Sequence, residues 1–179
     1  MTARERIRAW LANLDKNEQQ PRTLDAEGFC TMCVGQHTVV TLAVPAEGDQ
    51  FLVHAPMLSL RGAQPSLLAD FYATLLGEQM PGILPLGLCY CVDTEGGGVF
   101  LLGRHAIEGM DAMAFERALT SFVEAATAAR PRLLDALHRL EARHAGATDA
   151  PPMPAQSLAS TDVSDDDLVR MGTNLYLRV

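Results

Sequence analysis

The chain has 179 residues, 48% of them hydrophobic, and a formal net charge of -8 at pH 7. This apolar content suffices for a packed core in one domain of ordinary size, and it excludes a chain that is disordered throughout. The acidic balance argues against a nucleic-acid-binding surface. No apolar run approaches the roughly 18 residues of a membrane span. The first ten residues lack the apolar core of a signal peptide. We therefore expect a cytoplasmic protein without membrane insertion, whose partners are proteins or small molecules.

The first half of the chain predicts one helix followed by three strands. Residues 3–15 place apolar side chains at helical spacing and arginines on the other faces, which indicates an amphipathic helix. Between Glu27 and Met57 the apolar period changes to two, and residues 35–37 and 45–49 separate three segments rich in β-branched residues. These segments predict an antiparallel meander. Apolar residues on both faces of its strands indicate that both faces are covered.

The second half predicts a helix, a hairpin and a long helix. The segment "PSLLADFYATLLGEQM" is helical with Ser66 as the expected N-cap. The segments "LPLGLCYCVD" and "GGVFLLGR" form a hairpin whose glycines supply the positive φ angles of its turn. Asp111 then caps a long helix, which Pro131 should kink or end although its apolar stripe continues. We predict an α+β domain over residues 1–143 and, from its Pro, Ala and acidic composition, a flexible acidic tail over residues 144–179.

Four cysteines occur in two close pairs, Cys30 with Cys33 and Cys89 with Cys91. Because side chains alternate along a strand, Cys30 and Cys33 should point to opposite faces, whereas Cys89 and Cys91 should share one. Three sulfurs at best could meet, and a structural zinc site usually takes four ligands. We therefore predict packing residues in a reducing cytoplasm, with no bound metal or cofactor. A small cysteine-based metal or redox protein is the alternative.

The remaining motifs favour a protein that is not an enzyme. The five histidines are scattered, no HExxH occurs, and no serine lies in a GxSxG turn. The glycine run "EGGGVF" is followed by a strand, whereas a phosphate-binding loop requires a helix N-terminus there.

The order of elements resembles that of the Tir chaperone (CesT) family, the class I effector chaperones of bacterial type III secretion. The most similar stretch is "LGLCYCVDTEGGGVFLLGRHAIEGMDAMAFERALTSFVEAA", residues 86–126, and "LLADFYATLLGEQM" is similar to the second helix of the family. The resemblance covers residues 3–130. Two departures are the extension of the last helix past Pro131 and the long segment from Ala145 onward.

The resemblance implies an α+β fold of the type helix-β-β-β-helix-β-β-helix with an antiparallel sheet, assembled as a homodimer. It also implies a function without catalysis. The protein would bind the N-terminal segment of a secreted effector, keep it secretion-competent and present it to the export apparatus, with the secretion ATPase as a further partner. A secretion regulator with the same fold is an alternative.

Two sets of apolar residues are the expected contact surfaces. The second helix carries a wide apolar stripe, and the strand beginning at Leu86 joins the dimer interface in the family. The predicted dimer-interface residues are Leu67, Leu68, Phe71, Leu75, Leu76, Leu86 and Leu88. If the first strand is a free edge, an extended peptide can pair with it and insert side chains beside the first helix. The predicted effector-binding residues are Ile7, Trp10, Leu11, Leu14, Phe29, Met32 and Val34.

Overall fold

The computed structural model describes residues 1–14, 22–34, 38–79, 84–85 and 87–147. The fold of these residues is α+β with an antiparallel sheet, as the sequence predicted. It contains three helices and five strands, and the strand order is β1-β2-β3-β5-β4. The elements are α1 (Ala3–Leu14), β1 (Phe29–Val34), β2 (Thr38–Ala43), β3 (Gln50–Ser59), α2 (Pro65–Glu78), β4 (Leu88–Asp93), β5 (Gly98–Ala106) and α3 (Ala112–Ala147). None of the described helices is long and apolar enough to cross a membrane.

Strands β1, β2 and β3 form the predicted meander, and β3 then pairs with β5 rather than with β4. Among the described strands, β4 pairs only with β5, in a register that runs from Leu88 opposite Gly103 to Asp93 opposite Gly98. The tight turn between them is closed by the Gly97 N–H, which donates to the Asp93 carbonyl at 2.7 Å, and Gly97 has a φ of +69°. The predicted hairpin is therefore confirmed, and β1 and β4 are the two edges of the described sheet.

The hydrophobic core lies between α3 and one face of the sheet, which we call the inner face. Helix α3 packs against β2, β3 and β5. The ring of Phe115 on α3 lies 5.3 Å from that of Phe51 on β3. The inner-face residues of the central strands are Val40, Leu42, Phe51, Val53, Ala55, Val99 and Leu101. On the opposite, outer face, residues such as Val39, His54 and Phe100 are also buried, as expected for strands that are apolar on both faces.

The start of α3 agrees with the sequence analysis, and the start of α2 differs from it. The cap by Asp111 is confirmed, since its Oδ1 accepts the Ala114 N–H at 2.7 Å. The prediction of Ser66 as N-cap of α2 is wrong: the helix begins at Pro65, and its N-cap is Gln64. Proline suits the first helical position because its fixed φ is helical and its missing N–H would have no partner there.

Pro131 does not end the last helix, which continues to Ala147. The lost backbone hydrogen bond is offset by burial of Leu133, Leu137 and Leu140 on the continuing apolar stripe. The helix therefore passes the expected boundary at residue 143 by four residues. The rest of the predicted tail, residues 148–179, lies outside the described residues.

Candidate functional site

The apolar stripe of α1 divides between core and surface. Ile7 and Leu11 are fully buried, whereas Trp10 and Leu14 pack against the core and remain partly exposed. The Trp10 ring lies 5.4 Å from that of Phe115 at the start of α3. Trp10 thus contributes to packing with one part of its ring and leaves another part accessible to a ligand.

Helix α1 is attached to the segment before β1 by the guanidinium group of Arg4. Its Nε donates to the Val44 carbonyl at 3.0 Å and its Nη1 to the Ala26 carbonyl at 3.2 Å, while Nη2 donates to the Glu27 carbonyl. Charged hydrogen bonds of this kind are stronger than neutral ones. The helix and the entrance to β1 are therefore held together as one unit.

Strand β1 forms one edge of the sheet beside this unit. The Asp25 carboxylate fixes its entrance by accepting the backbone N–H of Phe29 at 2.7 Å. Along the strand, the Met32 side chain is buried on the inner face, while Thr31 and Cys33 are exposed on the outer face. An edge strand presents backbone donors and acceptors along its outer side, to which an extended chain can pair.

The seven residues predicted for effector binding therefore fall into two groups. Three of them, Ile7, Leu11 and Met32, belong to the buried core. The other four, Trp10, Leu14, Phe29 and Val34, are partly exposed. Phe29 and Val34 point to opposite faces of β1, because they lie an odd number of residues apart.

Helix α2 carries two neighbouring apolar stripes. Leu67, Phe71 and Leu75 point into the core of the same chain, and Phe71 has no exposed surface. The second stripe consists of Leu68, Tyr72 and Leu76, which follow each other at intervals of four, and Leu76 is 68% exposed. The sequence analysis did not include Tyr72 in this stripe, although its spacing of four residues from both Leu68 and Leu76 was the available signal.

The remaining predicted interface residues lie near the edge strand β4. Leu88 at the start of β4 is partly exposed and packs against the core, whereas Leu86 lies outside the described residues. Tyr90, two residues further on, is buried on the same face, and burial raises the pKa of its phenol while nearby Arg132 lowers it. Arg132 Nη2 also lies 3.4 Å from Glu78 Oε2, so α2, β4 and α3 meet at this cluster.

The cysteines have the facing predicted from their spacing. Cys30 is buried on the inner face, and Cys33 is exposed on the outer face together with the partly buried Cys89 and Cys91. The prediction that the cysteines are packing residues is confirmed for Cys30, which is buried, and is wrong for Cys33, which is exposed. Cys33 and the other two outer cysteines lie on opposite edges of the sheet, about 19 Å apart at four strand spacings. Within the described residues, no three His, Cys, Asp or Glu side chains are grouped closely enough to hold a metal ion.

These features define a small α+β module with an accessible edge strand and partly exposed apolar residues on α1 and α2. The sequence model of the Tir chaperone protein (CesT) family matches residues 10–130. The chain belongs to this family. Family and fold point to a binding role rather than a catalytic one. No curated protein sequence matches the chain.

Three solved structures show the same fold at low sequence identity. The chain is similar to one in the ExsC–ExsE complex, with a TM-score of 0.59 and 19% identity, over 74% of this chain and 97% of the other. It is also similar to one in the HopA1–SchA chaperone–effector complex, with a TM-score of 0.50, 18% identity and coverage of 70% and 93%. An uncharacterized protein from Methanothermobacter thermautotrophicus has a TM-score of 0.51, 11% identity and coverage of 77% and 98%.

Proposed function

We propose that the protein is a chaperone of bacterial type III secretion that binds the N-terminal segment of a secreted effector. It keeps the effector secretion-competent in the cytoplasm and presents it to the export apparatus, including the secretion ATPase. The observation that carries this proposal is family membership, together with an edge strand whose entrance is bonded to the partly exposed helix α1 through Arg4. The similar HopA1–SchA structure is a chaperone–effector complex, which supports the same reading.

Binding would combine backbone pairing with apolar pockets. An extended effector segment pairs with β1 around Thr31 to Val34, so that the edge of the sheet gains a strand. Alternate side chains of the segment then reach the apolar surface formed by Trp10 and Leu14 of α1. Backbone pairing supplies affinity for many sequences, and the apolar contacts select among them.

A pair of variants on α1 tests this proposal. Leu14→Asp places a charge on the proposed docking surface, whereas Ala12→Asp places the same charge on the exposed face of the same helix. Each tagged variant is expressed in the native bacterium, and its co-purified proteins are identified by mass spectrometry. We expect Leu14→Asp to lose an effector that wild type and Ala12→Asp retain, with far-UV circular dichroism showing that all three chains are folded.

A second measurement uses Trp10, the single tryptophan of the chain. Adding the N-terminal segment of the identified effector should shift its fluorescence, and Trp10→Ala should weaken binding by about 2 kcal/mol. The proposed surface is rejected if Leu14→Asp retains the effector and the fluorescence does not change. The proposed function is rejected if the co-purified partner is not exported by the secretion system.

The homodimer is proposed to form through the accessible stripe of α2 together with Leu88, and the other predicted interface residue, Leu86, lies outside the described residues. Leu76→Asp should convert the dimer to a monomer in light scattering, because it buries a charge in an apolar interface. Ser66→Asp, on the exposed face of the same helix, should leave the dimer intact. Phe71→Asp is unsuitable, since Phe71 lies in the core of each chain and its replacement would unfold the monomer. An unchanged dimer for Leu76→Asp would place the interface elsewhere.

A further inference from the structure

Two thiols lie side by side on the edge strand β4. The Sγ atoms of Cys89 and Cys91 are 3.9 Å apart, and both side chains are partly buried. On β5 they lie opposite Leu102 and Phe100, so both belong to the outer face of the sheet. Leu88, by contrast, points to the inner face of the sheet. The two thiols therefore belong to a different surface.

The two sulfurs are in contact, and the Cα spacing of the two residues lies at the limit for a disulfide. Residues i and i+2 of a strand have Cα atoms about 6.6 Å apart, and disulfides bridge Cα atoms up to about 6.8 Å apart. Because side chains at i and i+2 project in parallel, their Cβ atoms lie about as far apart as their Cα atoms, beyond the roughly 4.5 Å that a disulfide spans, so the bond closes only if β4 bends. A strand that pairs on one side only, as β4 does among the described residues, can bend to accommodate it more easily than a central strand.

We propose that Cys89 and Cys91 form a reversible dithiol–disulfide pair, oxidised by low-molecular-weight disulfides such as oxidised glutathione. One cysteine thiolate attacks the glutathione disulfide, forms a mixed disulfide and releases one glutathione thiolate. The second cysteine thiolate then attacks the cysteinyl sulfur, forms the Sγ–Sγ bond and releases the second glutathione. Two cysteine thiols lose two electrons and two protons, and one glutathione disulfide becomes two thiols.

The environment of the pair sets the conditions under which it reacts. Burial, together with the neighbouring Cys89, raises the pKa of the Cys91 thiol to about 11. Cys91 therefore keeps its proton at neutral pH, so oxidation should be slow there and faster in mildly alkaline buffer. A disulfide that bends its strand is strained and easily reduced, which makes the dithiol the form expected in reducing conditions. Closing the bond would bend β4 and change the edge that it offers.

Trypsin separates this pair from the other two cysteines, which provides an internal control. Cleavage at arginine places Cys30 and Cys33 on peptide 23–61 and Cys89 and Cys91 on peptide 62–104. The reduced full-length chain is incubated with excess oxidised glutathione in mildly alkaline buffer, alkylated, digested and analysed by mass spectrometry. This inference does not depend on the proposed function, because only the covalent state of the thiols is measured.

We expect peptide 62–104 to lack both alkyl groups and to weigh two hydrogen atoms less than its reduced form, while dithiothreitol restores alkylation. Cys33→Ser should keep this product, and Cys89→Ser or Cys91→Ser should abolish it. The proposal is overturned if peptide 62–104 remains doubly alkylated, stops at the glutathione adduct, or links two copies of the chain. An internal disulfide in peptide 23–61 at a comparable rate would also contradict it, since strand geometry would then not select the pair.

Discussion

His54 makes the stability of the protein dependent on pH in a direction that its burial determines. Its ring has no exposed surface and lies on the outer face of β3, between Thr41 of β2 and Leu102 of β5. Burial lowers the pKa of its imidazole from 6.5 to about 4. The folded chain therefore keeps this ring neutral at a pH where the unfolded chain already takes up a proton. Stability is full above pH 6.5 and decreases as the pH falls toward 4.

The magnitude follows from the difference between the two pKa values. Below pH 4 the protonation of the unfolded chain lowers the free energy of unfolding by about 3 kcal/mol. Between about pH 7.5 and about pH 5 the loss is about 2 kcal/mol. Burial also lowers the pKa of His105, which contributes in the same direction. A comparison with a variant at position 54 is needed to isolate the contribution of His54.

Urea unfolding of the wild type and of His54→Gln at these two pH values measures the difference. We expect the wild type to lose about 2 kcal/mol more than the variant on acidification, because glutamine does not titrate. His138→Gln, at an exposed position of α3, should behave like the wild type. Equal losses for the wild type and His54→Gln would refute the reasoning. If His54→Gln does not fold, a ring titration midpoint near 6.5 in the folded wild type, measured by nuclear magnetic resonance, would refute it equally.

Three further predictions concern local structure. Asp111→Ala should lower the free energy of unfolding by about 1 kcal/mol in urea titrations, since the N-terminus of α3 loses its cap, and an unchanged value would contradict that role. Gly28→Ala should lower the melting temperature more than Gly48→Ala, because both have positive φ but a Cβ at Gly28 would lie 2.5 Å from the Val44 carbonyl oxygen. Deleting residues 148–179 should leave the melting temperature nearly unchanged, whereas a drop of many degrees would show that this segment stabilises the domain.

The order of elements was predictable because local signals agree with the fold. The change of apolar period at Glu27 marks the first strands, the glycines before Val99 mark a hairpin, and the Asp111 carboxylate marks a helix start. The facing of the cysteines follows from strand alternation alone. Each of these signals depends on residues close together in sequence, so no knowledge of tertiary packing was required.

The proposed binding surfaces were less predictable, since a buried leucine and an exposed leucine look alike in sequence. On α2, Phe71 and Leu76 both belong to apolar stripes, yet only the structure assigns Phe71 to the core and leaves Leu76 exposed. On α1, likewise, the sequence does not distinguish Leu11, which is buried, from Leu14, which is partly exposed. At Pro131 the local pattern left two outcomes open, a kink or an end, and the structure excludes the end because the helix continues to Ala147.

The pairing of β3 with β5 also constrains how the chain can fold during synthesis. Strands β1 to β3 leave the ribosome first, and the side of β3 that will face β5 stays unpaired until residues 98–106 have been made. During this interval the nascent meander has an apolar, unprotected edge around Val53 and Ala55, which can pair with other chains. The central ladder of the sheet is thus completed late, and the yield of folded protein should depend on how fast translation proceeds from β3 to β5.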